Sequence, residues 1–439
     1  MPSSADRASA HAVRAQGFMF PILWVLMASA MIVESDVYRY VTIGLAIFVL
    51  VRHLPDVSWA SRDWLALLCY AWTAYVLLRF IAGIVLFDEK GASEWLYAFP
   101  ALFPLIGVAL IVSRPYLFKA ATILIACALV ALLATLDAST AMEGQRAAPL
   151  FHHNPIHAGV GSAMLFISSV AWLLHAAETG RLATRAKWSS LILGIATAIF
   201  SLLGLLFAQS KGVWLALALT VALWPLAAVF HLSGRWRLYA SVAIAIFFAA
   251  SIAIALPYIL AVAGPTMDAA TALLRAVFSK DGLTGAMRAA IEAATTPEAM
   301  RQRLMLWVNA LELIGERPFF GWGNRWLLEW RRTTYTDVGH TLLHNGYLEI
   351  LVRHGLMGLI FLGLFIVAGV RRFNEATRRG EVAQSVRVYV YTLSFFFFCT
   401  ILTNSNNRLA LGESYFILAG ATVFAVTLLN KQRRSDESV

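Results

Sequence analysis

The chain has 439 residues, of which 60% are hydrophobic and 14% charged, and its mean hydropathy is +0.71; it is too apolar to cover a water-soluble surface and is predicted to be an integral membrane protein. Its net charge of +10 invites a nucleic-acid reading, but membrane proteins concentrate Lys and Arg on cytoplasmic loops, and no nucleic-acid partner is expected. Cys69, Cys127 and Cys399 fall inside apolar runs without CxxC spacing, which argues against a disulfide framework or a thiolate metal site.

Runs long enough to cross about 30 Å of hydrocarbon fall at 18–34, 38–52, 64–86, 95–112, 118–137, 157–177, 188–208, 212–231, 238–261, 346–370, 387–404 and 410–430. They predict an all-α polytopic protein of about twelve transmembrane helices, organised as a single membrane domain over 1–439. The first run follows a polar tail with Arg7 and Arg14 and lacks a small-residue cleavage site, so it reads as a retained span. The first two runs are short, parted only by Glu34-Ser35-Asp36. With both termini cytoplasmic, the inner loops hold most of the basic residues, among them Arg181, Arg185, Lys187, Arg371, Arg372, Arg378 and Arg379. The short outer loops hold only Lys90, Arg146, Lys211 and Arg408, with Arg39 near a boundary. That asymmetry sets the expected orientation.

The same orientation places 262–345 outside, between spans 9 and 10, as a helical periplasmic insertion. Leu273, Leu274, Val277 and Phe278 repeat at helical spacing, and a second helix is predicted with Thr296 as N-cap and Pro297 at its first position. Met300, Leu304, Trp307, Leu311 and Ile314 form an apolar stripe on that helix, with Arg301, Asn309, Glu312 and Glu316 opposite. Arg303 sits beside Trp307 on the stripe, where a guanidinium is costly without an anionic partner, whereas Arg301 reads as a solvated charge. Pro318-Phe-Phe-Gly-Trp-Gly323 then predicts a tight, close-packed turn, since Pro ends the helix and two glycines permit positive φ.

His340 and His344 are four apart. They read as metal ligands, as a general base for a hydroxyl, since imidazole ordinarily titrates near neutrality, or as a cap on the next span. The metal reading lacks a third ligand, and Thr341 stands where an HExxH site needs Glu. Gln209, Ser210 and Lys211 occupy the turn between two spans. A lysine there reads either as a diphosphate ligand or as a snorkelling interface residue. Lys211, Arg303, His340 and His344 share one expected face, which favours a site.

The strings Phe207-Ala-Gln-Ser-Lys-Gly212, Arg303-Leu-Met-Leu-Trp307, Glu316-Arg-Pro-Phe-Phe-Gly-Trp-Gly323, His344-Asn-Gly-Tyr-Leu-Glu349 and His354-Gly-Leu-Met-Gly358 resemble the bacterial O-antigen ligase and polymerase superfamily, which includes the bacterial O-oligosaccharyltransferases. Recognisable motifs span roughly 190–370. The resemblance implies a GT-C-like glycosyltransferase of the inner membrane, working on the periplasmic side with an undecaprenyl-diphosphate-linked glycan as donor and needing no cofactor. By position it implies His344 as the base and Lys211 and Arg303 on the diphosphate; the extra His340 ranks second as base, and Arg288, in the same outer segment, is a third candidate cation that no motif places. Gln209, Ser210, Trp307 and Asn345 are the supporting residues. Lys211 stands where the family often has Arg, retaining the charge without the bidentate fork.

The expected reaction is transfer of O-antigen from the lipid diphosphate to a lipid A-core hydroxyl, with inversion and without metal. An O-antigen polymerase and a protein O-oligosaccharyltransferase are the alternatives within the superfamily. A lipid-linked glycan transporter is the alternative from another class, with Arg79 and Arg353 as its buried cations.

Overall fold

The computed structural model describes residues 4–91, 94–183, 187–224, 235–278, 282–339 and 341–436. Its helices are α1 (Ser4–Ala28), α2 (Val37–Arg52), α3 (Leu54–Ser61), α4 (Trp64–Phe87), α5 (Phe103–Val112), α6 (Leu117–Thr135), α7 (Ala138–Met142), α8 (Pro155–Glu178), α9 (Lys187–Phe207), α10 (Lys211–Ala222), α11 (Arg235–Val277), α12 (Gly282–Glu292), α13 (Glu298–Glu316), α14 (Trp326–Trp330), α15 (Gly346–Arg378), α16 (Gln384–Thr400) and α17 (Ala410–Asp436). The protein is an all-helical, multi-pass membrane protein. Among the described residues, seven helices are long and apolar enough to cross a bilayer, or eight if α2 and α3, bent by 105°, count as one span.

This is fewer than the twelve apolar runs. The runs at 18–34 and 212–231 yield only the shorter apolar helices Gln16–Met31 and Lys211–Ala222, and the second run reaches residues outside those described. The run at 387–404 yields α16, of 17 residues.

Two apolar cores hold the bundle. One joins α1, α2, α4, α5, α15 and α17 around Phe20, Tyr38, Ile106 and Phe424. The other joins α6, α8, α9, α10, α16 and α17 around Leu132, Met164, Val213 and Phe396. α17 contributes to both and ties the halves together.

The expected start of the 262–345 segment is not a separate helix. α11 runs unbroken for 43 residues from Arg235 to Val277, about 65 Å at 1.5 Å per residue, so Leu273 and Val277 continue the helix of the ninth run. α13 begins one residue later than predicted, with Pro297 rather than Thr296 at the N-cap. It is packed on two sides: Leu304 and Val308 meet Met287 and Ile291 of α12, while Leu306, Ala310 and Leu313 meet Trp322, Trp326 and Val352. Asn309, expected on a solvated face, is therefore fully buried, and its amide both donates to and accepts from the backbone of Tyr335 at 2.9 Å. Arg301 pairs with Glu298 at 2.7 Å.

Candidate active site

The turn between α9 and α10 is built by pairing with the loop that precedes α8. Ala147 N donates to the Phe207 carbonyl at 3.0 Å, Arg146 Nε to the Ala208 carbonyl at 3.3 Å, and Gln209 Nε2 to the Gln145 carbonyl at 3.2 Å. Gln209 adopts a left-handed φ of 47°, which reverses the chain so that Ser210 caps α10. The Ser210 side chain makes no capping bond. The first turn of α10 thus presents backbone N–H groups and the positive end of the helix dipole, a setting that favours an anion.

Lys211 extends from this turn and donates to Thr266 Oγ1 of α11 at 2.9 Å. Burial, then the charges of Arg146 and Arg303, lower its pKa. The Arg303 guanidinium is likewise lowered by burial and then by Arg146, and Arg146 by partial burial. Lys211 thus lies within electrostatic reach of both Arg303 and Arg146, the last of which the sequence offers only as an outer-loop charge. No ion pair to a carboxylate is seen for any of the three among the described residues. Clustered cations without anionic partners repel one another, and an anionic ligand relieves that cost. Arg288 is placed differently: it pairs with Glu312 at 3.3 Å, and Glu312 also accepts from Thr334.

The other expected site residues lie in the loop before α15. His344 has a φ of 49° and lies in a bend, not a helix; the helical-face relation between His340 and His344 therefore does not arise, and His340 itself lies outside the described residues. The cap of α15 is Asn345, whose Oδ1 accepts from Tyr347 N and Leu348 N at 3.0 and 3.1 Å. Two side chains brace the residue before His344. Trp307 Nε1 donates to the Leu343 carbonyl at 2.9 Å, and Leu343 N donates to Glu349 Oε1 at 3.0 Å. Trp307 is one helical turn from Arg303 on α13, so one rigid helix carries a clustered cation and a brace of the His344 loop.

Glu349 belongs to a buried charge network that lies outside the expected site residues. It pairs with Arg353 one turn along α15 and with Arg408 at 3.4 Å, and accepts from Ser405 Oγ at 3.1 Å. Arg353, fully buried, has its Nε 2.8 Å from Glu94 Oε2 and lies over the Trp326 ring, whose Nε1 donates to Glu94 Oε1 at 3.0 Å. The two carboxylates offset the two guanidiniums, the condition under which buried charge is tolerated. The Glu349/Arg353 spacing of four was a readable signal; nothing in sequence links them to Glu94.

The Pro318–Gly323 turn and the His354–Gly358 segment form one unit. α15 breaks at Gly355, where φ is 60° and ψ −156°. The backbone groups freed by the break are met by the turn: Leu356 N donates to the Pro318 carbonyl at 2.8 Å, Met357 N to the Phe319 carbonyl at 3.1 Å, and Trp322 N to the Val352 carbonyl at 2.8 Å. Arg79 closes the set, donating to the carbonyls of Arg353 at 3.2 Å, Gly321 at 3.1 Å and Phe320. Gly321, with a φ of 62°, is required by contact as well as by φ, because a Cβ there would lie 2.5 Å from the Arg353 carbonyl carbon.

No curated protein matches the chain. Residues 196–363, which hold the α9–α10 turn, Arg303, the His344 loop and the interlocked glycine motifs, match the family model Wzy_C, described as O-antigen ligase.

Proposed function

We propose that the protein is an O-antigen ligase of lipopolysaccharide biosynthesis, transferring O-antigen from undecaprenyl diphosphate to a hydroxyl of the lipid A-core. The observation that carries this reading is the cluster of Arg146, Lys211 and Arg303, without carboxylate partners, joined through α13 to the braced His344 loop. In the proposed reaction the cations and the first turn of α10 hold the donor's diphosphate and stabilise the charge that builds on it as the glycosidic bond breaks. His344 takes the proton of the acceptor hydroxyl, whose oxygen forms the new bond to the anomeric carbon from the opposite face, inverting it. The bond electrons leave with undecaprenyl diphosphate, and three cations supply the charge stabilisation that a metal supplies elsewhere.

The site would face the periplasm, with both termini cytoplasmic and the inner membrane crossed about twelve times; the distribution of Lys and Arg supports this orientation. The 262–345 segment is then the periplasmic insertion.

His344→Ala, expressed at wild-type level in a strain lacking the gene, is expected to leave lipopolysaccharide without its O-antigen ladder and to accumulate polymer on the lipid carrier. A normal ladder refutes His344 as the base. Accumulation of single-repeat chains on lipopolysaccharide would instead identify a polymerase. Transfer by the purified protein is expected to persist in excess EDTA, and dependence on an added divalent ion would remove the metal-free step.

A further inference from the structure

A cavity of about 220 Å³ lies between the 94–102 segment, α15, α16 and α17. Its walls along α15 are Phe361, Phe365, Val370 and Phe373. From Gly358 to Phe373 they extend about 22 Å at 1.5 Å per residue, a long, narrow, apolar shape. One end is different. Tyr97, Asn407 and Glu413 all line the cavity there. The Tyr97 hydroxyl, both amide atoms of Asn407 and Glu413 Oε1 are buried and have no hydrogen-bond partner among the described residues. Asn407 is only 8% and Glu413 4% exposed. The other oxygen of Glu413 is occupied, accepting from Arg39 Nη2 at 2.8 Å and from the Tyr38 hydroxyl.

Orphaned buried polar groups carry a desolvation cost of about 1–3 kcal/mol each, and natural folds leave few of them. Several gathered at one end of an apolar slot describe the two ends of an amphiphile. Glu413 Oε1 and Asn407 Oδ1 need donors, whereas Asn407 Nδ2 and the Tyr97 hydroxyl can donate to an acceptor. An amide or hydroxyl meets both demands. A phosphate supplies only acceptors and would sit against the Glu413 carboxylate, while Arg408, the cation that also lines the cavity, is already paired with Glu349 at 3.4 Å.

We infer that this cavity is a binding site for one long acyl chain bearing an amide or hydroxyl head, with the head at Tyr97, Asn407 and Glu413 and the chain along α15. The site is distinct from the cation cluster and does not depend on the glycosyl transfer proposed above. It would hold an uncharged lipid next to the Asn345–Gly346 cap, since a Cβ on Gly346 would lie 2.6 Å from Asn407 Oδ1.

The test is native mass spectrometry of the full-length protein in detergent, titrated with N-tetradecanoylethanolamine and, separately, with tetradecyl phosphate of the same chain length. The amide is expected to bind at least about tenfold more tightly. Tyr97→Phe removes only the orphaned hydroxyl, so the protein is expected to remain folded while amide affinity falls about fivefold, the worth of one hydrogen bond. Ala419→Trp, which fills the apolar wall, is expected to abolish binding of the amide. Equal affinity for the two heads, no detectable amide binding, or an affinity unchanged by both substitutions overturns the inference.

Discussion

Trp307 illustrates how little the type of a residue reveals about its task. In the sequence it is one member of an apolar stripe, yet its indole N–H holds the Leu343 carbonyl beside His344. Trp307→Phe keeps an aromatic ring, though a smaller one, and removes that bond. It is expected to lower the rate of transfer tenfold or more with little change in KM, because a displacement of a reacting group by about 1 Å can cost about a hundredfold. Purified variant with an unchanged rate would show that the brace does not matter to turnover. In the proposed reaction Arg146 binds the donor diphosphate, and Arg146→Ala is expected to raise the KM for the donor more than it lowers kcat; an unchanged KM would remove Arg146 from the donor site. His152 makes a prediction about pH. Burial depresses its imidazole from 6.5 to about 4, against a hydrogen bond to the Met31 carbonyl. The unfolded chain therefore binds its proton first, and stability is lost as pH falls from about 6.5 toward about 4. His152→Asn is expected to flatten thermal stability measured across that window; an unaltered slope would assign the effect to other groups.

The residues legible in the sequence were those whose neighbours along the chain announce their setting. Lys211 lies in a turn between apolar runs, and Arg303 stands out on an apolar stripe. Arg146 was not legible, because its loop acquires meaning only on pairing with the α9–α10 turn 62 residues away. Glu94 was hidden for the same reason, being an ordinary acidic residue until Arg353 reaches it.

At the scale of elements, the sequence indicated helices well and their limits less well. The apolar stripe of α13 was correct in period but incomplete, since a helix covered on two sides buries Leu306 and Leu313 off the stripe. α11 is longer than its apolar run because helical propensity does not stop where hydropathy falls. The sequence of the Pro318–Gly323 turn predicts tight, close packing, but its partner, the break in α15, gives no sign beyond a glycine. Gly355→Ala is expected to destabilise the protein by about 3 kcal/mol or more, since both its φ of 60° and the nearby Phe320 N, 2.6 Å from a Cβ, forbid the methyl. Gly315→Ala on α13, with nothing near its Cβ, is expected to be neutral or to gain up to about 1 kcal/mol. Thermal unfolding in detergent compares the two, and similar values would mean that the break is not built on Gly355.

For the whole molecule, composition alone indicated membrane residence and an all-helical build, because no soluble surface can be made from so apolar a chain. The number of crossings was less legible: apolar length does not say whether a run bends, as α2 and α3 do. The proposed orientation predicts that, in a background lacking the native cysteines, Glu143→Cys reacts with an impermeant maleimide in whole cells and Thr179→Cys does not. The reverse pattern would put the cation cluster on the cytoplasmic side.

The kink at Gly355 has a consequence for how the bilayer and the protein share the work of shaping α15. Lipid offers no hydrogen bonds, so the exposed peptide groups around the kink would each cost several kcal/mol without the Pro318–Gly323 turn and Arg79. A synthetic peptide of residues 346–378 in vesicles lacks both. It should straighten into a continuous rod, so that spin labels placed on either side of Gly355 lie farther apart in the peptide than in the intact protein; the bend of this span is imposed from outside itself.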